Sequence, residues 1–211
     1  MTPQPPTKDL VVLAADGQIE FAVRGLLTRG RSLQFRDLAC DIYVHPAKDP
    51  GCFLRGHDFL RPFYRQYSYA LVVLDREGCG RQQRPRLSLE ADLEQRLAAS
   101  GWGDRAAAVV IDPELEIWVW SDSPEVDAAL GWTGRSPTLA AWLVSESYCG
   151  PGEAKPSGPK QALEHALRVT RKRRSSAIYR QLAERVSVHR CTDPAFLKLK
   201  ALLRTWFAAT E

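Results

Sequence analysis

Three stretches of the chain are apolar at nearly every position: Leu10–Ala15 (LVVLAA), Tyr69–Leu74 (YALVVL) and Ala106–Ile111 (AAAVVI). Runs this short and this uniformly apolar are what strands buried on both faces of a parallel sheet look like. A further strand is expected at Asp41–His45, closed by Pro46 and the turn-rich AKDPG. Between the strands the period lengthens. From Gln18 to Arg29, Ile19, Val23, Leu26 and Leu27 share one helical face, with Gly30 as a left-handed terminator. Phe53–Tyr67 reads as helix interrupted by Pro62, and Leu89–Ser100 as helix capped by Ser88 and ended at Gly101. Strand and helix in strict alternation predict an α/β fold, a parallel sheet with right-handed crossovers and helices on both faces.

Past Ile111 the pattern changes. Asp112-Pro113 has the form of a helix cap followed by proline, which predicts helix for ELEIWVW despite its alternating letters; Ser123-Pro124 repeats the device before Glu125–Leu130. The Gly/Pro-rich stretch SESYCGPGEAKPSGP is the expected hinge or flap. Amphipathic helices are expected at Lys160–Val169, Ala177–Val186 and Pro194–Ala209. The organisation is thus a tail over residues 1–8, an α/β domain over 9–144, a loop over 145–159 and a helical extension over 160–211 packed on the same domain.

Composition narrows the classes. A chain of 211 residues with 45% hydrophobic content can bury a sizeable core. No apolar run approaches the ~20 residues of a membrane helix, and MTPQPPTKD lacks a signal-peptide core, so the protein is read as cytoplasmic with no membrane partner. Five scattered cysteines without a C-x-x-C pair read as reduced thiols. His45, His57, His165 and His189 show no metal spacing, and the six tryptophans read first as core or interface anchors. The dinucleotide fingerprint, the P-loop and the G-x-S-x-G elbow are all missing.

The candidate chemistry lies where strands end. The first strand runs into Asp16-Gly17 with Glu20 a turn later, and the third into Asp75 and Glu77, followed by Gly78. Carboxylates gathered at one sheet edge repel one another unless a cation neutralises them, and hard oxygen ligands suit magnesium or manganese. Such a site can activate water or stabilise a phosphodiester transition state. Solvated loop acids are the alternative reading of the same spacing.

An acidic-Gly-x-x-Glu turn after the first strand, an Asp-x-acidic-Gly turn after the third and the later run ELEIWVWSD resemble the Toprim domain, in particular a small stand-alone Toprim-like group related to OLD-type nucleases. The resemblance spans about Leu10 to Phe207. It implies a Toprim-like sheet, Asp16 and Glu20 in the general acid/base and metal roles, and Asp75 and Glu77 as ligands of Mg2+ or Mn2+. Glu114 and Glu116, with Trp118 or Trp120 and Asp122, match a Glu-x-Glu-x-Trp segment of the group, and Pro159, Lys160 and Leu163 match its tail, with Lys160 as a phosphate ligand. The chain departs from the Toprim pattern in carrying Asp at 16 and Glu at 77. By this resemblance the protein is a metal-dependent nuclease or phosphodiester-processing component of a bacterial anti-phage defence system, methylation-associated defence being one such setting. The alternative it also implies is a catalytically inactive Toprim-like interaction subunit in a multi-protein defence complex.

The run RVTRKRRSS adds a cationic candidate. Arg171, Lys172, Arg173 and Arg174, extended by Arg180 and Arg185, form a phosphate-binding stripe in one reading and a solvated helix end in the other. Nucleic acid, DNA or RNA, is the expected partner, beside other defence proteins.

Overall fold

The computed structural model describes residues 6–150, 152–153 and 155–209. Four strands, β1 (Lys8–Ala14), β2 (Cys40–Val44), β3 (Tyr67–Asp75) and β4 (Ala106–Ile111), form one all-parallel sheet in the order β2-β1-β3-β4. The register aligns Ala14 with Val73 and Asp75 with Ile111, so β1, β3 and β4 end nearly level. The chain leaves β1 in one direction and β3 in the other. Their carboxyl ends therefore flank the crevice where open α/β sheets take ligands.

Helix α1 (Gly17–Leu27) follows β1, and the one-turn α2 (Gly30–Leu33) follows it. Helices α3 (Lys48–Leu60) and α4 (Arg86–Leu97) pack together against β1, β3 and β4. After β4 come α5 (Glu116–Val119), α6 (Pro124–Leu130) and α7 (Leu139–Ser145), then α8 (Pro159–Val169), α9 (Ser176–Arg185) and α10 (Pro194–Trp206). The C-terminal helices complete the molecule. Helix α9 lies on α1 at Gly25, where a Cβ would come within 2.8 Å of both Ala183 Cβ and the Arg180 carbonyl. Trp206 of α10 stacks on Tyr69 with ring centroids 4.7 Å apart.

The outer edge of β4 is closed by side chains. Glu90 Oε1 accepts the Val110 amide and Glu94 Oε1 that of Ala108, both at 3.0 Å, while Arg86 and Lys198 neutralise the two carboxylates. Two amides of the edge are thereby closed to pairing with another chain.

Several local expectations are corrected. The expected tail over 1–8 already enters β1 at Lys8, and its residues 1–5 lie outside the described residues. Gly30 opens α2 instead of terminating α1 and approaches Phe35, whose carbonyl would meet a Cβ at 2.7 Å; the left-handed residue is Gln34, with φ 64°. Ser88 sits inside α4, where its Oγ accepts from Arg84. Asp112 caps nothing: Arg76 Nε lies 2.8 Å from its Oδ1, and only one turn of helix, α5, forms from ELEIWVW. The segment AKDPG is a turn only at Ala47, and from Lys48 it is the start of α3. Gly51 is required there because the His45 ring fills the place of a Cβ, 2.1 Å from its Nδ1.

The loop between α7 and α8, in which 151 and 154 are not described, is tied down at several points. Lys155 Nζ donates to the Ile117 carbonyl at 2.9 Å, and Trp120 Nε1 donates to that of Pro159 at 2.9 Å. No helix among the described residues is long and apolar enough to cross a membrane.

Candidate functional site

The site forms at the carboxyl ends of β1, β3 and β4. Asp16 follows β1 and caps α1, its Oδ1 accepting the amides of Gln18 at 2.8 Å and Ile19 at 2.9 Å. A carboxylate there complements the helix pole as well as satisfying two orphan amides. Its second oxygen is left for other work. Asp75 is the last residue of β3; the residue keeps some exposure, but its Oδ1 is sealed from solvent and meets no hydrogen-bond donor.

Facing Asp75 is a residue outside the expected set. Asp49, in the first turn of α3, accepts the Asp75 amide on Oδ1 at 2.8 Å. Its other oxygen lies over Gly78, 3.8 Å from where a Cβ would stand. Burial raises the Asp75 carboxyl well above its ordinary range, and the charges of Asp49, Glu116, Asp16 and Glu114 add to the rise. Asp49 is raised by burial first and then by Asp16. The sequence signal for Asp49 was available: an acid and a proline in adjacent positions just before a helical period mark a first helical turn.

The two glutamates of ELEIWVW lie close enough for their charges to act on Asp75, and both are buried. Glu114 accepts the Lys160 amide at 3.2 Å and stands 3.5 Å from Lys160 Nζ. Its pKa is raised by burial and by Glu116, against the pull of Lys160. Glu116 Oε1 accepts from Arg174 and, at 2.6 Å, from the Tyr179 hydroxyl. Arg174 also donates to Glu164 at 2.7 Å and to Gln18 at 2.9 Å. Burial opposes the charge of Arg174, yet Tyr179 and Glu116 leave its pKa raised; burial and Glu116 together push the Tyr179 hydroxyl up. Lys160 behaves likewise, its burial penalty outweighed by Glu114 and Glu116.

The expected residues thus divide. Asp16, Asp75, Glu114 and Glu116 share one electrostatic neighbourhood. Glu20 is engaged along its own helix by Arg24 at 2.8 Å. Glu77 is exposed, with its amide held by the Pro113 carbonyl at 2.9 Å, although its charge still reaches Glu114.

The basic run divides as well. Arg174 is built into the glutamate cluster, and Lys172 Nζ donates to the carbonyls of Ala128 and Ala129 at the end of α6, at 3.0 and 2.9 Å. Arg171, at φ 57°, and Arg173 are exposed.

Among the described residues, no group of three or more His, Cys, Asp or Glu side chains is disposed to hold a metal ion. Magnesium does not require one, since it keeps several waters and takes one or two carboxylates. Asp75, with its orphaned oxygen, together with either Asp49 or Asp16 from its neighbourhood, supplies the one or two hard donors such a cation takes. Glu20 and Glu116 fit less well, each having Oε1 occupied by an arginine. Scans against protein-family models, curated proteins and solved structures return no match to the chain.

Proposed function

We propose that the chain is a Toprim-like, metal-dependent phosphodiester-processing protein acting on nucleic acid, a component of an anti-phage defence assembly. The observation that supports this reading best is the sealed, donorless Asp75 Oδ1 at the crevice between β1 and β3, among like charges. A buried carboxylate oxygen without a donor is costly unless something outside the protein satisfies it. In this reading Asp75 and Asp16 hold Mg2+ or Mn2+. The cation, when bound, supplies Lewis acidity toward a phosphoryl oxygen and lowers the pKa of bound water.

The chain's own residues supply the rest. Asp16 is the carboxylate beside the reacting phosphate, with one oxygen locked to α1 so that the other keeps its aim. Lys160, in the first turn of α8, offers a point charge for a phosphate oxygen, anchored by Glu114. Arg171 and Arg173, exposed and without an internal partner among the described residues, are the cations of the basic run that contact the nucleic-acid backbone.

A second reading, the inactive interaction subunit, is favoured by one feature: Glu114 and Glu116 already have internal cations and so ask for no metal. The test is cleavage of single- and double-stranded DNA and RNA with Mn2+ against a chelator control. Metal-dependent cleavage by the wild type, lost in a folded Asp16→Asn protein, is the expected result. No cleavage by the wild type of any substrate, with partner proteins supplied and defence in cells unaffected by Asp16→Asn, would leave the interaction subunit as the function.

A further inference from the structure

The acidic edge holds one carboxylate that the first-strand and third-strand turns do not provide. Asp49 comes from the first turn of α3, which begins at Lys48, and it meets the end of β3 through the Asp75 amide. Its two oxygens have different surroundings. Oδ1 accepts the Asp75 amide at 2.8 Å, while Oδ2 lies over Gly78.

Asp75 Oδ1 is buried beside it without a donor. Among the described residues, Lys160 is paired with Glu114 and Arg174 with Glu116. Two adjacent carboxylates, one with a sealed and unsatisfied oxygen, are stabilised by a cation from solution. A small hard cation that keeps most of its water matches a pair of carboxylates better than one that demands a full protein cage.

We propose that Asp49 is a direct ligand, together with Asp75, of a hydrated divalent cation of the magnesium class. This rests on the metal-dependent reading above and adds to it a ligand from a third element of the fold. The competing role for Asp49 is purely structural, a side chain that caps the amide at the end of β3. Asparagine can cap that amide equally well through its carbonyl oxygen but carries no charge.

Calorimetric titration of the full chain with Mn2+ separates the two. Asp49→Asn is expected to lower the affinity by more than about tenfold. Asp58→Asn, which removes an exposed carboxylate from the same helix, is expected to leave it unchanged. Equal affinity in the wild type and Asp49→Asn would overturn the ligand role while leaving the metal-dependent reading intact. No binding of Mn2+ by the wild type would overturn both. If Asp49→Asn fails to fold, the wild type decides alone: bound Fe2+ with ascorbate and peroxide should cut the backbone around residues 48–50 as well as 74–76. Cuts around 74–76 without cuts around 48–50 would contradict the proposal.

Discussion

Two groups of carboxylates share one neighbourhood at the same end of the sheet, and they differ in what neutralises them. Glu114 and Glu116 are the more buried residues, yet Lys160 and Arg174 from the C-terminal segments are placed against them, with Tyr179 completing the second pair. Among the described residues, the aspartate edge of Asp16, Asp49 and Asp75 has no arginine or lysine in hydrogen-bond contact, and the buried Asp75 Oδ1 has no donor. Charge balanced from within serves the fold, because its partner arrives with folding. Charge left unbalanced in a crevice awaits a partner from outside. The glutamate layer thus acts as a floor that fastens the helical extension to the α/β domain, and in the proposed function the aspartate edge is the metal-binding rim.

If that division is right, mutations in the two layers have opposite signs. Arg174→Met should be the most damaging, because it leaves Glu116 buried without its cation and also frees Glu164 and Gln18; urea denaturation should report a loss of about 3 kcal/mol. Asp75→Asn should stabilise the metal-free protein, on the order of 1 kcal/mol, since it removes a charge disfavoured by burial and by its neighbours. A destabilising Asp75→Asn would place the aspartates with the glutamates as part of the floor.

The same asymmetry predicts a pH dependence. Asp49, Asp75 and Glu114 have folded-state pKa values above their unfolded ones, so between those values the folded chain binds more protons than the unfolded chain. Stability without metal should therefore fall as pH rises from about 4 through the raised values and level off above them. Melting temperature followed against pH in a chelating buffer checks this, and Asp75→Asn should flatten the decline. The magnesium-induced rise in melting temperature should belong to the wild type and vanish in Asp75→Asn.

The basic run carries the comparison to its smallest effect on stability. Arg171→Gln with Arg173→Gln should change stability by less than about 0.5 kcal/mol while reducing the salt slope of nucleic-acid binding by up to about 2. Lys172, whose ammonium ends α6, should show the reverse pattern, some loss of stability and little change in slope.

Much of this architecture was legible in the chain. Uniform apolar runs placed β1, β3 and β4 to within two residues, and Ala106–Ile111 matches β4 end to end, because strands buried on both faces leave no room for polar letters. Asp16 and Asp75 were legible as candidates for the same reason: the first acid after such a run has to emerge at the sheet edge. Asp49 was overlooked because Asp-Pro-Gly spells a turn in isolation, although the same acid-proline pair also suits a first helical turn. In the structure the helix already begins at Lys48, and Gly51 leaves room for the His45 ring against its first turn. The fates of Lys160 and Arg174 were hidden by distance. Their partners lie 46 and 58 residues away, and a cation in a basic run looks the same whether it meets solvent or a buried glutamate.

The difference between the two layers is open to direct observation in crystals soaked in Mn2+ and measured at its absorption edge. An anomalous peak beside Asp75, within ligand distance of Asp49 or Asp16, is the predicted result, with Glu114 and Glu116 still joined to Lys160 and Arg174. A peak seated instead between the two glutamates, with those cations displaced, or no peak at any of these carboxylates, would contradict the division of the acidic cluster into a structural floor and a metal-binding rim.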